Sequence, residues 1–200
     1  MTRFFDILFC LLGLIILSPL FLVLAILVKV NSKGPFLYRQ KRVGKDGVEF
    51  FLLKIRTMHV NSDKKGLLTV GRRDPRVTTL GYTLRKYKLD ELPQLWNVLF
   101  GDMSIVGPRP EVKKYVDLYT PEQLRVLSVR PGVTDLASVE YRNENSLLEK
   151  QGNPEKFYIE HIMPKKIELN LVYIESPTIG NYFRIIFKTV TSLANKSYVG

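Results

Sequence analysis

An adjacent pair of carboxylates, Asp90 and Glu91, is the feature of this sequence with the clearest chemical potential. The pair follows a short basic run and precedes Pro93. Neighbouring side chains on a regular helix diverge by about 100°, so both carboxylates can face one ligand only at a break in the helix. Mg²⁺ binds through one or two carboxylates together with phosphate oxygens. We therefore expect one carboxylate to act as a nucleophile at phosphorus and the other to bind Mg²⁺, whereas the alternative is a pair that is merely solvated.

Basic side chains that suit a phosphate-bearing ligand are spread along the chain. Arg109 lies between Pro108 and Pro110, which stiffen the turn, and Gly107 lets the backbone approach a ligand closely. A planar guanidinium in a rigid turn suits bidentate phosphate binding, so Arg109 is the predicted phosphate ligand. The other predicted substrate-binding residues are Lys54, Arg56, Arg76 and Arg142. Each of these four could equally belong to a structural ion pair.

Two helices separated by a break are predicted to position the carboxylate pair. Apolar residues recur at three- and four-residue spacing from residue 79 to residue 99. Pro93 opens the second helix, and Gly101 ends it. A short strand at residues 104–106 then leads into the turn that carries Arg109.

The regions on either side complete the predicted domain. Strand-like runs at residues 35–43 and 48–58 flank a Gly-rich turn and predict a β-hairpin, with Lys54 and Arg56 on one face. Residues 61–73 are predicted to form a mobile loop near the active site. The remaining predicted helices run from residue 120 to before Pro131, over 165–175 and over 179–194. The last helix carries an aromatic-rich apolar stripe, for which core packing and a membrane interface are weighted equally.

Residues 7–28 contain no charged side chain, and Ser18-Pro19 lies near their middle. An uninterrupted helix of this length rises about 33 Å, enough to cross a hydrocarbon core of about 30 Å. Pro19 removes a backbone donor, so we expect the helix to kink or stop near Ser18, with the freed carbonyl met by Ser18 or neighbouring backbone. A bent transmembrane helix and a re-entrant hairpin both stay open, while a cleavable signal peptide is disfavoured. The basic cluster that follows places the rest of the chain on the cytoplasmic side.

Composition narrows the class of partner. The formal net charge is +11 at pH 7, spread over several segments of the 200 residues. Beside an apolar anchor, anionic lipid headgroups and a phosphate-bearing substrate fit this charge better than nucleic acid does. One cysteine and two distant histidines disfavour a disulfide and a zinc site. The roughly 170 residues beyond the apolar segment fit one domain, and we expect no second catalytic domain.

Five segments in chain order resemble motifs of the bacterial sugar transferases, also called monotopic phosphoglycosyl transferases. They are residues 54–58, 74–78, 89–98, 101–110 and 130–134. An ordered set of this kind is far more specific than any single motif. Directly after the last motif the sequence departs from the family pattern: this chain has Asp135-Leu136-Ala137-Ser138 where many relatives have Gly-Leu-Trp-Gln. The sugar or nucleotide contacts of this loop are therefore expected to differ.

The resemblance implies an α+β fold in two parts. Residues 1–30 would form a re-entrant membrane helix hairpin that breaks at Ser18-Pro19, and residues 31–200 a catalytic domain. That domain would be mostly helical, with a small β-hairpin or sheet and amphipathic interfacial helices. It would lie on the cytoplasmic face of the bacterial inner membrane, as in minimal family members that carry the catalytic domain alone.

The resemblance also implies an activity. Such an enzyme transfers a phosphosugar from a UDP-sugar to a polyprenyl (undecaprenyl) phosphate and releases UMP, the first membrane step of glycoconjugate synthesis. Asp90 would form an aspartyl-phosphosugar intermediate, Glu91 would bind Mg²⁺, and Arg109 would bind phosphate. The predicted partners are the UDP-sugar, the polyprenyl phosphate and the phospholipid bilayer, and a homodimer stays open. The alternative is a non-catalytic, membrane-anchored scaffold that binds anionic lipids.

Overall fold

The protein is mostly helical, with two small sheets. The computed structural model describes residues 2–62, 68 and 74–194. The helices are α1 Thr2–Asn31, α2 Thr79–Lys86, α3 Gln94–Phe100, α4 Lys113–Val116, α5 Leu136–Glu140, α6 Glu144–Glu149, α7 Pro154–Phe157, α8 Met163–Glu175 and α9 Ile179–Ala194. The strands are β1 Leu37–Val43, β2 Glu49–Ile55, β3 Ser104–Val106 and β4 Gly132–Thr134. Most of the predicted loop at residues 61–73 lies outside the described residues.

The predicted hairpin is confirmed, with shorter strands than the sequence indicated. β1 and β2 pair antiparallel, from Leu37 opposite Ile55 to Val43 opposite Glu49. Leu52 and Ile55 of β2 are buried, which fastens the hairpin to the core. β2 ends at Ile55, one residue before Arg56, whose N–H still donates to Phe36 O at 2.9 Å.

The predicted helix, break and second helix are confirmed around the carboxylate pair. Thr78 caps α2 by accepting a hydrogen bond from Gly81 N at 3.0 Å. The chain then passes through Lys88 in the left-handed region, with φ at 57°, and makes one 3₁₀ turn over Leu89–Glu91. Pro93 precedes α3, and Gly101 ends it with φ at 94°. The carboxylate pair therefore lies on a tight turn between two helices, where neighbouring side chains need not follow the α-helical spacing.

Two contacts fix α3 and the turn after β3. Asn97 of α3 pairs with β2 as a strand would, since its Oδ1 accepts from Leu53 N at 2.9 Å and its Nδ2 donates to Phe51 O at 2.8 Å. β3, which was predicted, pairs in parallel with β4, which was not. The turn carrying Arg109 follows β3, and Asp135 follows β4. Because parallel strands end at the same sheet edge, these two segments meet there.

The apolar N-terminal segment is a single α-helix, so of the two predicted outcomes near Ser18, a kink or a stop, the stop is wrong and the kink stays a prediction. Pro19 has no N–H to donate to the carbonyl of Ile15, four residues earlier. The hydroxyl of Ser18 donates to that carbonyl at 2.8 Å, which confirms the predicted role of Ser18. This contact satisfies the freed acceptor and lets the helix continue through Pro19. In the described part of the chain α1 is the one helix long and apolar enough to cross a membrane.

The N-terminal end of α1 is held by charged side chains. Arg3 donates to the carbonyls of Val98 and Leu99 at the end of α3, at 2.6 and 3.0 Å. Asp6, only 2 % exposed, accepts hydrogen bonds from three groups of the folded domain. They are Ser104 Oγ at 2.9 Å, Ile105 N at 3.0 Å and the Tyr182 hydroxyl at 2.8 Å. Such charge-assisted bonds are about twice as strong as neutral ones, so this end is firmly docked.

The C-terminal end of α1 packs on the same domain. Leu24 and Val28 form a buried cluster with Ile55 of β2 and Leu84 of α2. Arg56 donates to the carbonyl of Ser32 at 2.8 Å and to that of Lys33, where the helix has just ended. A cation at this position complements the helix dipole and satisfies terminal carbonyls.

The C-terminal part forms a second region of core. The predicted helix after residue 120 is a 3₁₀ helix over Gln123–Ser128, opened by reciprocal hydrogen bonds between Thr120 and Gln123. α8 begins two residues before its predicted start, and α9 has its predicted bounds. On α9, Tyr182 and Ile185 are buried against β3 and α1, whereas Phe187 is 70 % exposed. The stripe on α9 therefore packs on the core along one side and faces outward along the other.

Candidate active site

Asp90 occupies a buried position at the centre of the site. It lies in the 3₁₀ turn that follows Lys88 and is 6 % exposed. Its Oδ1 has no hydrogen-bond partner among the described residues. Burial, and next the negative charge of Glu91, raise the pKa of Asp90, while the positive charges of Lys54, Lys88 and Arg85 oppose that rise. Asp90 is thus a desolvated carboxylate with a vacant acceptor position.

Glu91 is held in its ionised form by two cations. Arg109 donates to both of its carboxylate oxygens, from Nη1 at 3.2 Å and from Nη2 to Oε1. Lys54 Nζ lies 3.7 Å from Oε1. Burial alone would raise the pKa of Glu91, but the nearby cations, Arg109 foremost, and the hydrogen bond from Arg109 hold it well below its usual range. Glu91 therefore fixes Arg109 and Lys54 beside Asp90.

Arg109 is positioned by the backbone around it. Its own N–H donates to Asp135 Oδ2 at 2.7 Å, and Arg42 holds the next carbonyl, that of Pro110, at 3.2 Å. Gly107 passes so close to β4 that a Cβ there would lie 2.5 Å from the carbonyl oxygen of Arg130. Only glycine fits at this crossing, and the turn that presents Arg109 is locked against the neighbouring strand.

Lys54 approaches Glu91 from β2. Burial lowers the pKa of Lys54 to about 8, against the opposing effect of Glu91, and the positive charges of Arg109 and Arg42 lower it further. The ammonium therefore loses its proton near the upper end of the physiological pH range. A lysine of this kind is a typical component of a binding or catalytic site.

Arg85, Gln94 and Asp135 belong to this neighbourhood and were not predicted as site residues. Arg85 of α2 donates from Nε to Thr57 Oγ1 at 2.9 Å and contributes positive charge toward Asp90. Gln94, one turn after Asp90, is 1 % exposed, and neither its Oε1 nor its Nε2 has a partner in the described part of the chain. A buried polar atom without a partner costs about 1 to 3 kcal/mol, and a bound ligand can supply the partner. Arg85 and Gln94 could have been predicted as site residues from their positions near the carboxylate pair. Asp135 could have been predicted from the departure at residues 135–138.

Three predicted substrate-binding residues have other partners. The guanidinium of Arg56 is directed at the end of α1. Arg76 forms an ion pair with Asp74, from Nη2 to Oδ2 at 2.6 Å, and the hydrogen bond from Arg76 lowers the pKa of Asp74. Arg142 donates to the carbonyl of Ser192 in α9. The structure brings together Asp90, Glu91, Arg109 and Lys54, and it directs Arg56, Arg76 and Arg142 to structural contacts.

The carboxylate pair fits a Mg²⁺ ion that is completed by its substrate. An ionised carboxylate such as Glu91 has about four acceptor positions, of which Arg109 uses two, so Glu91 can also bind a metal ion beside the vacant Oδ1 of Asp90. Among the described residues no three Asp, Glu, His or Cys side chains come together as a metal cage. Mg²⁺ commonly uses only one or two carboxylates and takes the remaining ligands from phosphate and water. The donor set therefore suits Mg²⁺ in the presence of a phosphate-bearing substrate.

Comparisons with known proteins show which family the sequence is similar to. The sequence profile of the family described as Bacterial sugar transferase matches residues 1–196. A Klebsiella pneumoniae protein named UDP-glucose:undecaprenyl-phosphate glucose-1-phosphate transferase is 41% identical over 201 residues, which cover 98% of this chain and 40% of that protein. A Caulobacter vibrioides protein of the same name is 39% identical over 180 residues, 88% of this chain and 63% of that protein. An Aeromonas hydrophila protein named UDP-N-acetylgalactosamine-undecaprenyl-phosphate N-acetylgalactosaminephosphotransferase is 35% identical, over 96% of this chain and 43% of its own length. The chain thus spans less than two thirds of each of these relatives.

Proposed function

The chain belongs to the bacterial sugar transferase family, and from this premise we propose that it transfers a phosphosugar from a UDP-sugar to undecaprenyl phosphate and releases UMP. The observation that carries the proposal is Asp90, a buried carboxylate with a vacant oxygen, next to a Glu91 that holds two cations. A nucleophile surrounded by fixed positive charge suits attack on a diphosphate, because the cations offset the repulsion between two anions.

The proposed reaction has two steps at one site. A carboxylate oxygen of Asp90 attacks the sugar-linked phosphorus of the donor, and the bond from that phosphorus to the bridging oxygen of UMP breaks. A phosphate oxygen of the acceptor then attacks the same phosphorus, which frees Asp90 and forms the polyprenyl-diphosphate-sugar. Covalent catalysis lets one site serve two anionic substrates in turn, and ping-pong kinetics follow.

The residues around Asp90 divide the remaining work. Arg109 and Lys54, held by Glu91, are placed to bind phosphate oxygens of the donor. Glu91 would hold Mg²⁺, which when bound would offset the negative charge of the diphosphate and leave Asp90 free to attack. Because Asp90 is buried, little water reaches it, which favours transfer of the phosphosugar to the acceptor over hydrolysis of the intermediate.

The proposed membrane geometry is re-entrant, with residues 1–30 in the bilayer and residues 31–200 as a catalytic domain on its cytoplasmic face. α1 contains 30 residues, about 45 Å of helix, yet Arg3 and Asp6 near one end and Val28 near the other contact the same domain. A helix that crossed the bilayer would carry one end away from that domain. The most exposed apolar side chains of α1 are Phe4, Ile15, Ile16, Leu22, Val23, Ile26 and Val30. This outward apolar face supports shallow insertion of α1 into the bilayer.

α9 supports the same orientation. Its outward residue Phe183 makes edge contacts with Phe5 and Phe9 of α1, at ring-centroid distances of 5.2 and 6.2 Å. Exposed Phe187 and Val190 extend that apolar surface. α1 and α9 therefore present one continuous apolar face, which is typical of helices at a membrane interface. An acceptor with a long isoprenoid tail stays in the bilayer, so the site must reach it there.

The test uses purified protein in detergent with a UDP-sugar, undecaprenyl phosphate and Mg²⁺. Release of UMP is expected from the unaltered chain and at least about 10³-fold more slowly from Asp90→Asn, because the nucleophile is lost. Asp117→Asn, an exposed aspartate outside the site, is the matched control. Intact-mass spectrometry with donor alone is expected to show a phosphosugar adduct that Asp90→Asn lacks.

Two outcomes would contradict the proposal. UMP release that persists in Asp90→Asn removes Asp90 as the nucleophile. Salt-sensitive liposome binding without nucleotide turnover by any UDP-sugar favours the scaffold instead. The membrane geometry is tested separately, because labelling of Thr2→Cys from the periplasmic side of intact cells would show that α1 crosses the bilayer.

A further inference from the structure

A cavity of about 140 Å³ adjoins the carboxylate pair. Arg109 lines it and also holds Glu91, so one guanidinium connects the two. A water needs roughly 10 to 15 Å³ of such volume, whereas drug-sized ligands occupy about 300 Å³ or more. The cavity therefore has room for one ring of a larger molecule whose other end reaches Asp90.

The charged groups that line the cavity are paired with one another or with Glu91. Arg42 Nη1 lies 2.9 Å from Glu111 Oε1, and Lys166 Nζ lies 2.7 Å from Glu144 Oε2. With its cations matched to carboxylates, the cavity offers little net charge to a phosphate. The rings of Tyr115, Tyr119 and Tyr158 also line it. An uncharged, flat, polar ring fits this lining better than an anion does.

One side chain that lines the cavity, Asn170, has a defined orientation and an acceptor oxygen that no described residue contacts. Asn170 of α8 is 6 % exposed, and its Nδ2 donates to Asp135 Oδ2 at 3.5 Å. An ionised carboxylate only accepts hydrogen bonds, so the amide nitrogen must be the atom that faces Asp135. Its Oδ1, a buried acceptor, has no partner within the described residues. Asp135 also accepts from Arg109 N at 2.7 Å, so the same carboxylate orients the phosphate-binding turn and this acceptor.

We propose that the cavity binds the uracil ring of the donor nucleotide, with Asn170 Oδ1 accepting a hydrogen bond from the N3–H of uracil. This proposal rests on the proposed function, because it assigns a place to one part of the UDP-sugar. Bases are commonly bound by stacking on aromatic side chains and by hydrogen bonds to their edges. Arg42 Nε, a buried donor without a partner among the described residues, suits a uracil carbonyl. The diphosphate then extends past Arg109 toward Asp90.

The experiment compares UMP with ribose 5-phosphate, which lacks the base, by calorimetry on the full chain in detergent with Mg²⁺. UMP is expected to bind at least about tenfold more tightly than ribose 5-phosphate, since stacking and one hydrogen bond are lost with the base. Asn170→Leu is expected to weaken UMP binding about tenfold and to change ribose 5-phosphate binding less than about twofold. Asn181→Leu, a matched substitution on α9 outside the cavity, is expected to change neither.

Equal affinities for the two ligands in the unaltered chain would overturn the proposal, as would equal losses of both in Asn170→Leu. Unchanged UMP binding in that variant, with an altered preference among UDP-sugars, would place the sugar in the cavity and also overturn it. Tyr119→Leu, with the same expected pattern, replaces Asn170→Leu if that variant does not fold. Selective UMP binding without turnover would refute the transferase and leave the cavity assignment standing. Turnover with equal binding of UMP and ribose 5-phosphate would refute only the assignment to uracil.

Discussion

Lys54 is expected to lower the free energy of unfolding at neutral pH and, in its charged form, to help bind the donor diphosphate. Lys54→Met tests the effect on stability. The lysine is mostly buried, with 19 % of its side chain exposed, and its pKa is lowered to about 8 from 10.5 in an unfolded chain. Between these two values the unfolded chain binds more protons than the folded one. Stability therefore rises as pH increases through this range, and below pH 8 the full cost of the buried charge is present.

The size of the effect follows from the two pKa values. A single group with these values adds about 2 to 3 kcal/mol to the free energy of unfolding between pH 7 and pH 10. Function is expected to move in the opposite direction. As Lys54 loses its proton above pH 8, the donor diphosphate loses one cation, so kcat/KM for the donor falls.

Urea unfolding of the detergent-solubilised protein at pH 7, 8, 9 and 10 measures the stability effect. Trp96, the single tryptophan, provides the fluorescence signal and lies in α3, the helix that follows the carboxylate pair. The difference between the two chains isolates Lys54, because tyrosines and other lysines titrate in both. Lys54→Arg is the control for function, since its guanidinium stays charged and its kcat/KM should not fall above pH 8.

Two results would refute this reasoning. If Lys54→Met gains as much stability between pH 7 and pH 10 as the unaltered chain, Lys54 does not titrate there. If kcat/KM of the unaltered chain is flat above pH 8, the ammonium does not contact the donor.

Three further substitutions test the contacts that position the site. Asp6→Asn removes the charge from three hydrogen bonds and is expected to lower the free energy of unfolding by about 1 to 3 kcal/mol in urea. Asp117→Asn, at an exposed aspartate, is the control and should change it little; equal effects would contradict the role of Asp6. Arg56→Met leaves the carbonyls at the end of α1 without their donor and is expected to lower Tm by about 4 °C or more in calorimetry. Arg39→Met, at an exposed arginine, is the control. An unchanged Tm for Arg56→Met would show that Arg56 does not stabilise α1 as a cap. Gly107→Ala places a Cβ 2.5 Å from the carbonyl oxygen of Arg130 and should displace Arg109, which is expected to lower kcat/KM about 100-fold. Gly152→Ala is the control, because a Cβ there meets open space and kcat/KM should not change. A near-normal kcat/KM for Gly107→Ala would show that the turn tolerates the shift.

Local sequence signals predicted the elements around the site well. Pro93 and Gly101 marked the bounds of α3, and the Gly-rich turn marked the hairpin, because such residues act through their own backbone conformation. Ser18 was correctly predicted to meet a freed carbonyl, but the helix does not stop there. Contacts along the docked length of α1 outweigh the loss of one backbone bond at Pro19.

The sequence did not reveal which residue each arginine would contact. Arg56, Arg76 and Arg109 all lie within the motifs, yet Arg56 caps α1, Arg76 pairs with Asp74 and Arg109 holds Glu91. What separates them is the position of distant elements, above all the parallel pairing of β3 with β4, which brings Asp135 to Arg109 N. Non-local pairings of this kind leave no periodic signal in the chain.

The same contacts that dock the apolar helix also hold the turn that carries Asp90 and Glu91. Arg3 of α1 binds the carbonyls at the end of α3, whose first residue lies three positions after Glu91. At the other end, Val28 packs against Leu84 of α2, the helix that leads into Asp90. A change in how α1 lies on the domain would therefore move both helices that flank the carboxylate pair. In the proposed reaction the acceptor phosphate lies at the bilayer surface, so a site fastened to α1 on both sides would keep Asp90 at a fixed depth relative to that phosphate.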